Sequence, residues 1–216
     1  MDITVLYNLS YGLYVVGAMD GSRPVGCIIN TCFQVTSQNP ILAVSLNKNN
    51  YTLEVIKRTK RFSLSIITED TNTNIISCFG FQCSKMADKY AEFCYDMVDE
   101  VPVVRGNFGG RLILNVINMV DNETHYVVLA RLIDTVKGEG HPMTYEYYHN
   151  VVKGKAPKNA PTYRGEEKVA DAVKAGPKKK RYVCSICGYT YEGDELPEGF
   201  VCPLCGATAD RFKLVE

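Results

Sequence analysis

Four cysteines near the end of the chain form two hooks, Cys184-Ser-Ile-Cys187-Gly188 and Cys202-Pro-Leu-Cys205-Gly206. Fourteen residues separate Cys187 from Cys202. Each hook can bring two thiolates to one metal, and the glycine behind it lets the backbone turn tightly past the sulfurs. Four thiolates make a closed tetrahedral site, which suits zinc or an iron–sulfur centre. On spacing alone two readings stand: a zinc ribbon that only holds a small unit together, and a site that carries electrons.

The residues around the hooks are aromatic. Tyr182 precedes the first cysteine by two, Tyr189 and Tyr191 follow the first hook, Phe200 precedes Cys202 by two, and Phe212 lies near the end. This stretch, 182–216, resembles rubredoxin, in which one iron ion sits on four cysteines beside a small aromatic core and carries one electron. The resemblance implies iron on Cys184, Cys187, Cys202 and Cys205. The loop between the hooks is shorter than in free-standing rubredoxins, and the usual core tryptophan is absent. Short-loop rubredoxin modules fused to larger proteins share both features, and zinc stays open as the alternative metal.

A second set of residues lies early in the chain. Asn30-Thr31-Cys32-Phe33-Gln34-Val35-Thr36-Ser37-Gln38-Asn39-Pro40, followed by Ser45-Leu46-Asn47-Lys48-Asn49-Asn50-Tyr51-Thr52, resembles the flavin reductase-like family with its FMN-binding split barrel. Three further segments agree with it: Phe79-Gly80-Phe81-Gln82-Cys83-Ser84-Lys85 with Asp88-Lys89-Tyr90, then Thr124-His125, then His141-Pro142-Met143-Thr144-Tyr145 onward to Tyr163. The resemblance covers residues 1–163.

An FMN needs hydrogen-bonding groups around its ring and positive or hydroxyl groups at its phosphate. By resemblance Asn30 and Thr31 lie along the ring, with Cys32 close by. Lys48, Asn50 and Thr52 sit at an expected helix start, where free N–H groups and the helix dipole favour an anion, so they are assigned to the phosphate with Ser45 and Asn47 beside them. Plain helix capping by Asn50 is compatible with that role. Lys85 stands where the family often has Arg, which weakens a bidentate phosphate contact. Cys32 also reads as a small buried filler. His125 is the candidate contact for the nicotinamide end of a hydride donor, against the plainer reading of a strand-end histidine. His141 and His149 carry less weight.

These residues need elements to hold them. A short helix is expected over residues 2–9 and strands over 11–19, 24–36, 41–47 and 62–67, with a turn at Asp20-Gly21-Ser22 and a break at Gln38-Asn39-Pro40. Asn50 caps a helix over 51–59. One or two short helices fall within 71–94, and residues 101–104 are extended. Gly106-Asn-Phe-Gly-Gly110 reads as a turn between strands, since it lacks the Lys-Ser/Thr and the context of a phosphate loop. Long strands over 111–120 and 124–136 pair through Asp121-Asn122-Glu123. Strands dominate, so the fold class is mainly β: by the resemblance an FMN-binding split β-barrel with a few helices, plus a small rubredoxin-like metal-binding domain.

Residues 1–163 are read as the flavin reductase-like domain, 164–181 as a flexible basic linker and 182–216 as the metal-binding domain. The last part is too small for an apolar core alone, so its metal must supply folding energy. It holds six acids against Arg211 and Lys213, a net of −4, whereas residues 164–181 carry a net of +4 from seven bases and three acids. The run Lys178-Lys179-Lys180-Arg181 lacks interleaved aromatics and reads as a solvated linker end, not a nucleic-acid patch. Formal net charge over the chain is zero, which excludes a global argument for nucleic acid or membrane binding. Five cysteines remain outside the hooks (Cys27, Cys32, Cys78, Cys83 and Cys94), and an odd number of thiols fits a reducing cytoplasm. No leader pattern opens the sequence and no apolar run reaches a membrane span, so a soluble cytoplasmic protein is expected.

A flavin reductase-like domain joined to a rubredoxin module resembles the high-molecular-weight rubredoxins. The resemblance implies an NAD(P)H:rubredoxin-type oxidoreductase: NAD(P)H as substrate, FMN as first acceptor, the iron centre as second. The final acceptor is then a flavodiiron protein that reduces oxygen or nitric oxide, and the assembly is a homodimer. Two alternatives remain at this stage: an electron carrier without its own NAD(P)H site, and a flavoprotein with a structural zinc ribbon for interactions.

Overall fold

The computed structural model describes residues 2–152, Gly154, Ala160, 180–193, 195–203 and 205–215. Residues 164–179 of the expected linker lie outside them. A 3-10 turn, Ile3–Asn8, leads into β1 (Tyr14–Asp20) and β2 (Arg23–Ile29). There follow β3 (Cys32–Gln34), β4 (Ile41–Asn47), α1 (Tyr51–Thr59), β5 (Arg61–Ile67) and α2 (Asn74–Phe81). After a short 3-10 turn, Lys89–Ala91, come β6 (Tyr95–Val98), β7 (Val101–Val104), β8 (Phe108–Asn122), β9 (His125–Lys137) and α3 (Tyr145–Asn150). The cysteine unit adds β10 (Lys180–Cys184), β11 (Thr190–Gly193) and β12 (Phe212–Val215).

Seven strands make one sheet in the order β2-β1-β5-β8-β9-β4-β3. Every neighbouring pair is antiparallel. β2 and β3 are separated only by Asn30 and Thr31, yet they occupy opposite edges of the sheet. The sheet therefore has to curl until its edges meet, and the split barrel has its seam at those two residues. Register shifts at Ile113/Leu114 and Val116/Asn118 in the β8–β9 pair bend the long hairpin that such closure needs.

Strand alternation separates two cores. In β1, Val16 and Ala18 join Val44, Leu46, Phe62 and Leu114 inside the barrel. Leu13 and Val15 turn the other way, onto Phe79 of α2 and Tyr145 and Tyr148 of α3. Phe62, Leu114 and Val128 have no exposed surface, and burial of each such side chain stabilises the fold by roughly 1.5–3 kcal/mol.

Five features differ from the sequence reading. The strand expected over 24–36 is two strands, because its halves pair with different neighbours. Gly109 and Gly110 belong to β8, where Gly110 pairs with Lys137, so only the start of the expected glycine turn lies outside a strand. The β8–β9 turn is Glu123–Thr124, with Asn122 already opposite His125. β6 and α3 were not expected: among the described residues β6 pairs only with β7, and α3 holds because Tyr145 and Tyr148 are buried. No described helix is long and apolar enough to cross a membrane.

Candidate functional site

The two cysteine hooks fold alike. Cys184 N–H donates to the Tyr189 carbonyl (2.8 Å) and Gly188 N–H to the Cys184 carbonyl (2.9 Å); Cys202 to Ala207 (2.7 Å) and Gly206 to Cys202 (2.9 Å) repeat the pattern. Gly188 and Gly206 have φ of 75° and 69°, the left-handed conformation the hooks were expected to need. The four sulfurs all lie within 4.8 Å of one another. Cys184 and Cys205 sulfurs are 3.6 Å apart and those of Cys187 and Cys202 3.5 Å. A tetrahedron with metal–sulfur bonds of about 2.3 Å has edges of about 3.8 Å, so this donor set fits one tetrahedral ion.

Burial raises the Cys187 thiol and pushes the Cys205 thiol up to about 11. Burial acts the same way on Cys184, but the N–H groups of Cys187 and Ile186 outweigh it and bring that thiol down. Backbone N–H groups thus already face sulfur on the side where a thiolate would need them. Around the hooks, Tyr191 and Phe200 rings lie 4.9 Å apart and Phe200 and Phe212 5.3 Å, which is the expected aromatic core.

The early residues converge at the barrel seam. Thr31 donates its hydroxyl to Asn30 Oδ1 (3.1 Å), and its carbonyl accepts Ser45 N–H (3.2 Å). Cys32 opens β3, opposite Val44. Asn47 ends β4 directly across from His125 of β9. Lys48 N–H donates to the Thr124 carbonyl (2.9 Å), and Thr124 Oγ1 meets His125 Nδ1 at 2.8 Å. Strand ends, the β4–α1 turn and the β8–β9 turn thereby bring Asn30, Thr31, Cys32, Ser45, Asn47, Lys48 and His125 into one region.

Three expected residues sit differently. Asn50 caps α1 with its side chain, accepting Thr52 N–H at 3.0 Å, and its carbonyl takes Leu53 N–H at 3.0 Å. Much of the helix start is therefore already satisfied from within. Thr52 is fully buried, and its hydroxyl has no hydrogen-bond partner. Lys85 stands exposed on the loop that Ser84 ties to Gly26 (2.8 Å), and no described bond links it to the seam residues.

The electrostatics of the seam centre on Asp121, which sequence reasoning assigned only to a turn. It pairs with Lys48 and accepts the Tyr126 hydroxyl at 2.7 Å. Lys48, then Tyr126, hold its carboxyl below the usual carboxylate range. Lys57 lies over the Tyr126 ring, 3.6 Å from its centre. Burial pushes the Cys32 thiol up to about 12, which keeps it protonated at neutral pH. His141 pairs with Glu69 at the surface (3.0 Å), and His149 packs edge-on to Tyr145, 4.3 Å between ring centres.

Lys89 was missed as a structural residue. It is 2% exposed and donates to the carbonyls of Gly26 (2.8 Å) and Phe79 (2.9 Å). Burial lowers its pKa. A lysine in a polar loop carries no local signal of burial; only the packing of α2 on β2 creates it.

Amide and hydroxyl donors along the seam and one cation beside them match what a flavin ring and its phosphate require.

Comparison with known proteins follows the same division. Residues 6–155 match the Flavin reductase like domain family, and residues 182–213 match the Rubrerythrin, rubredoxin-like domain family. A High molecular weight rubredoxin of Moorella thermoacetica is 37% identical, with all of both chains covered. A Ferric-chelate reductase (NAD(P)H) of Archaeoglobus fulgidus is 33% identical over 76% of this chain and 98% of that protein. The crystal structure of Flavoredoxin from Methanosarcina acetivorans shares the fold at a TM-score of 0.56 and 19% identity, covering 62% of this chain and 74% of that one.

Proposed function

The chain belongs to the flavin reductase-like family, with a rubredoxin-like domain behind it, and from that premise we propose that it passes electrons from NAD(P)H through FMN to one iron ion on Cys184, Cys187, Cys202 and Cys205. It is a flavin-dependent oxidoreductase. One observation carries the reading: a flavin reductase-like barrel and a four-sulfur site of tetrahedral size share one chain. When bound, FMN supplies hydride acceptance and single-electron release, and iron supplies a one-electron acceptor.

The chain's own residues then bind, orient and shield. Asn30 and Thr31 offer donors along the ring, half-buried Cys32 fills space near it, and Ser45 and Asn47 stand beside the phosphate residues. Lys48 supplies the cation for the phosphate, Asn50 holds the α1 start rigid and Thr52 backs it from inside. Lys85, exposed and joined to this group by no described bond, is the weakest member of the set. Thr124 holds the His125 ring through Nδ1, and His125 is the proposed contact for the nicotinamide end of the hydride donor.

The final acceptor in this reading is a flavodiiron protein or a similar electron acceptor, reached from the acidic metal domain. The domains divide as 1–163, 164–181 and 182–216. The protein works as a cytoplasmic homodimer. Exposed Phe33 on the edge strand and Val35 just past it, with Ile117 and Val120 on the long hairpin, are apolar surface a second copy would cover. Nine unpaired cysteines suit a reducing compartment.

Metal analysis and visible spectra of protein from iron-replete cells test the centre, and NADH or NADPH turnover with a dye tests the entry. The expected result is about one iron per chain, red colour over yellow, and turnover with a reduced nicotinamide. Yellow protein with stoichiometric zinc would sink the proposed transfer to iron.

A further inference from the structure

The end of the barrel domain touches the metal-binding domain. Val152, just after α3, is half-buried and packs against two separate clusters. One is the outer core of the barrel, with Leu13, Ile67, Tyr145 and Tyr148. The other is the cluster of Cys184, Cys187 and Cys202 itself. Tyr148 stands at the same place, buried in the cluster that Val152 packs against.

The chain around this contact is tightly held. Val151 and Val152 N–H groups both donate to the Tyr147 carbonyl (2.8 and 3.3 Å), and Gly154 N–H donates to the Tyr148 carbonyl (3.0 Å). A Cβ at Gly154 would overlap the Tyr148 ring, so only glycine lets the backbone lie on that face. His149 Nδ1 meets the Gly154 carbonyl at 2.7 Å. Loop backbone is bent onto an aromatic side chain, and the side chain beyond it reaches the metal site.

We infer that α3 with Val152 is an intramolecular dock for the four-cysteine domain, which seats its metal-bearing edge on Tyr148 and Val152. The dock places the sulfurs at one end of a packed aromatic column. Tyr148 and Tyr145 rings are 6.5 Å apart and stacked, and Tyr145 and Tyr11 rings are 6.3 Å apart. Tyr145 N–H donates to the Tyr11 carbonyl (2.8 Å).

The dock does not depend on which metal the cysteines hold, nor on flavin binding. Nuclear relaxation of amide nitrogens in the full chain loaded with zinc tests it directly. Docked, residues 180–215 and the barrel tumble with one correlation time. Replacing zinc with ferric iron should then broaden the amide signals of Tyr148, Val151, Val152 and Gly154 selectively. Val152→Asp places a charge in the contact and should give the metal domain its own, shorter correlation time and restore those signals. Tyr148→Phe keeps the ring and the core, and should shift the Cys187 amide while both domains stay folded. Independent tumbling of the wild-type domains, or iron broadening that spares α3, would overturn the dock. So would a folded Val152→Asp chain that still tumbles as one body.

Discussion

Lys48 and Asp121 form an ion pair between the turn that starts α1 and the end of β8, beside the expected phosphate position. A cation held by a carboxylate is not idle, so an incoming phosphate has to compete with Asp121. Both side chains are partly exposed, so solvent screens the pair and keeps it weak. Asp121→Asn should therefore tighten FMN binding by up to about fivefold. Lys48→Ala should weaken it by about 1.5–3 kcal/mol, the scale of one charge-assisted hydrogen bond. Fluorescence titration of FMN with both variants measures this. Equal affinity in all three proteins would move the phosphate elsewhere.

Cys202→Ser removes one corner of the sulfur tetrahedron. Iron content should fall to a small fraction of one per chain, and reduction of an external acceptor through the metal should stop. The barrel core shares no residue with the sulfur cluster except the bridging Val152. FMN content and the far-ultraviolet signal of the strands should therefore stay near wild type. Loss of FMN from this variant would show that the barrel needs the metal domain.

Cutting the chain after residue 175 separates entry from delivery. The seam residues all lie before the cut, so dye reduction by NADH or NADPH should persist within about a factor of two, less than half a kcal/mol in the barrier. Transfer to a protein acceptor should collapse. Steady-state assays with the two acceptors distinguish the outcomes, and full delivery by the truncated chain would make the four-cysteine site structural.

Alkaline stability should report Cys32. Its thiol stands at about 12 in the folded protein against an ordinary value of 9.0, and burial is the cause. Below pH 9 both states hold the proton, and the contribution is intact. Between about pH 9 and 12 the unfolded chain releases the proton while the fold retains it, so stability falls as pH rises. Cys32→Ala removes that slope. Urea midpoints of the two proteins should differ by a constant amount up to pH 8.5 and converge or cross by pH 10.5. A constant difference over the whole range would mean that Cys32 titrates normally in the fold.

Lys89→Met should destabilise the fold by about 1–3 kcal/mol, because the carbonyl of Phe79 loses its buried donor and that of Gly26 keeps only Ser84. The midpoint of urea unfolding measures it. FMN affinity should change little, since Lys89 anchors α2 to β2 away from the seam.

Local spacing determined what lies within a turn or two of chain. The cysteine hooks, their trailing glycines and the Asn50 cap of α1 depend on neighbours a few residues away, so their geometry is written in residue order. The extents of β4 and β5, apolar runs bounded by breaks, were legible for the same reason. Tertiary structure decided everything that needs a distant partner. Residues 24–36 read as one strand because each half is β-prone; only closure of the sheet sends β2 and β3 to opposite edges and makes Asn30–Thr31 a seam. The pairing of Lys48 with Asp121 spans the register of β4 on β9 and of β9 on β8. The burial of Lys89 and the contact of Val152 with the sulfur cluster likewise join segments far apart in sequence. Side-chain type states what a residue can do in any of these places, but strand register and packing choose its partner, and those follow from burying two whole faces of one sheet at once.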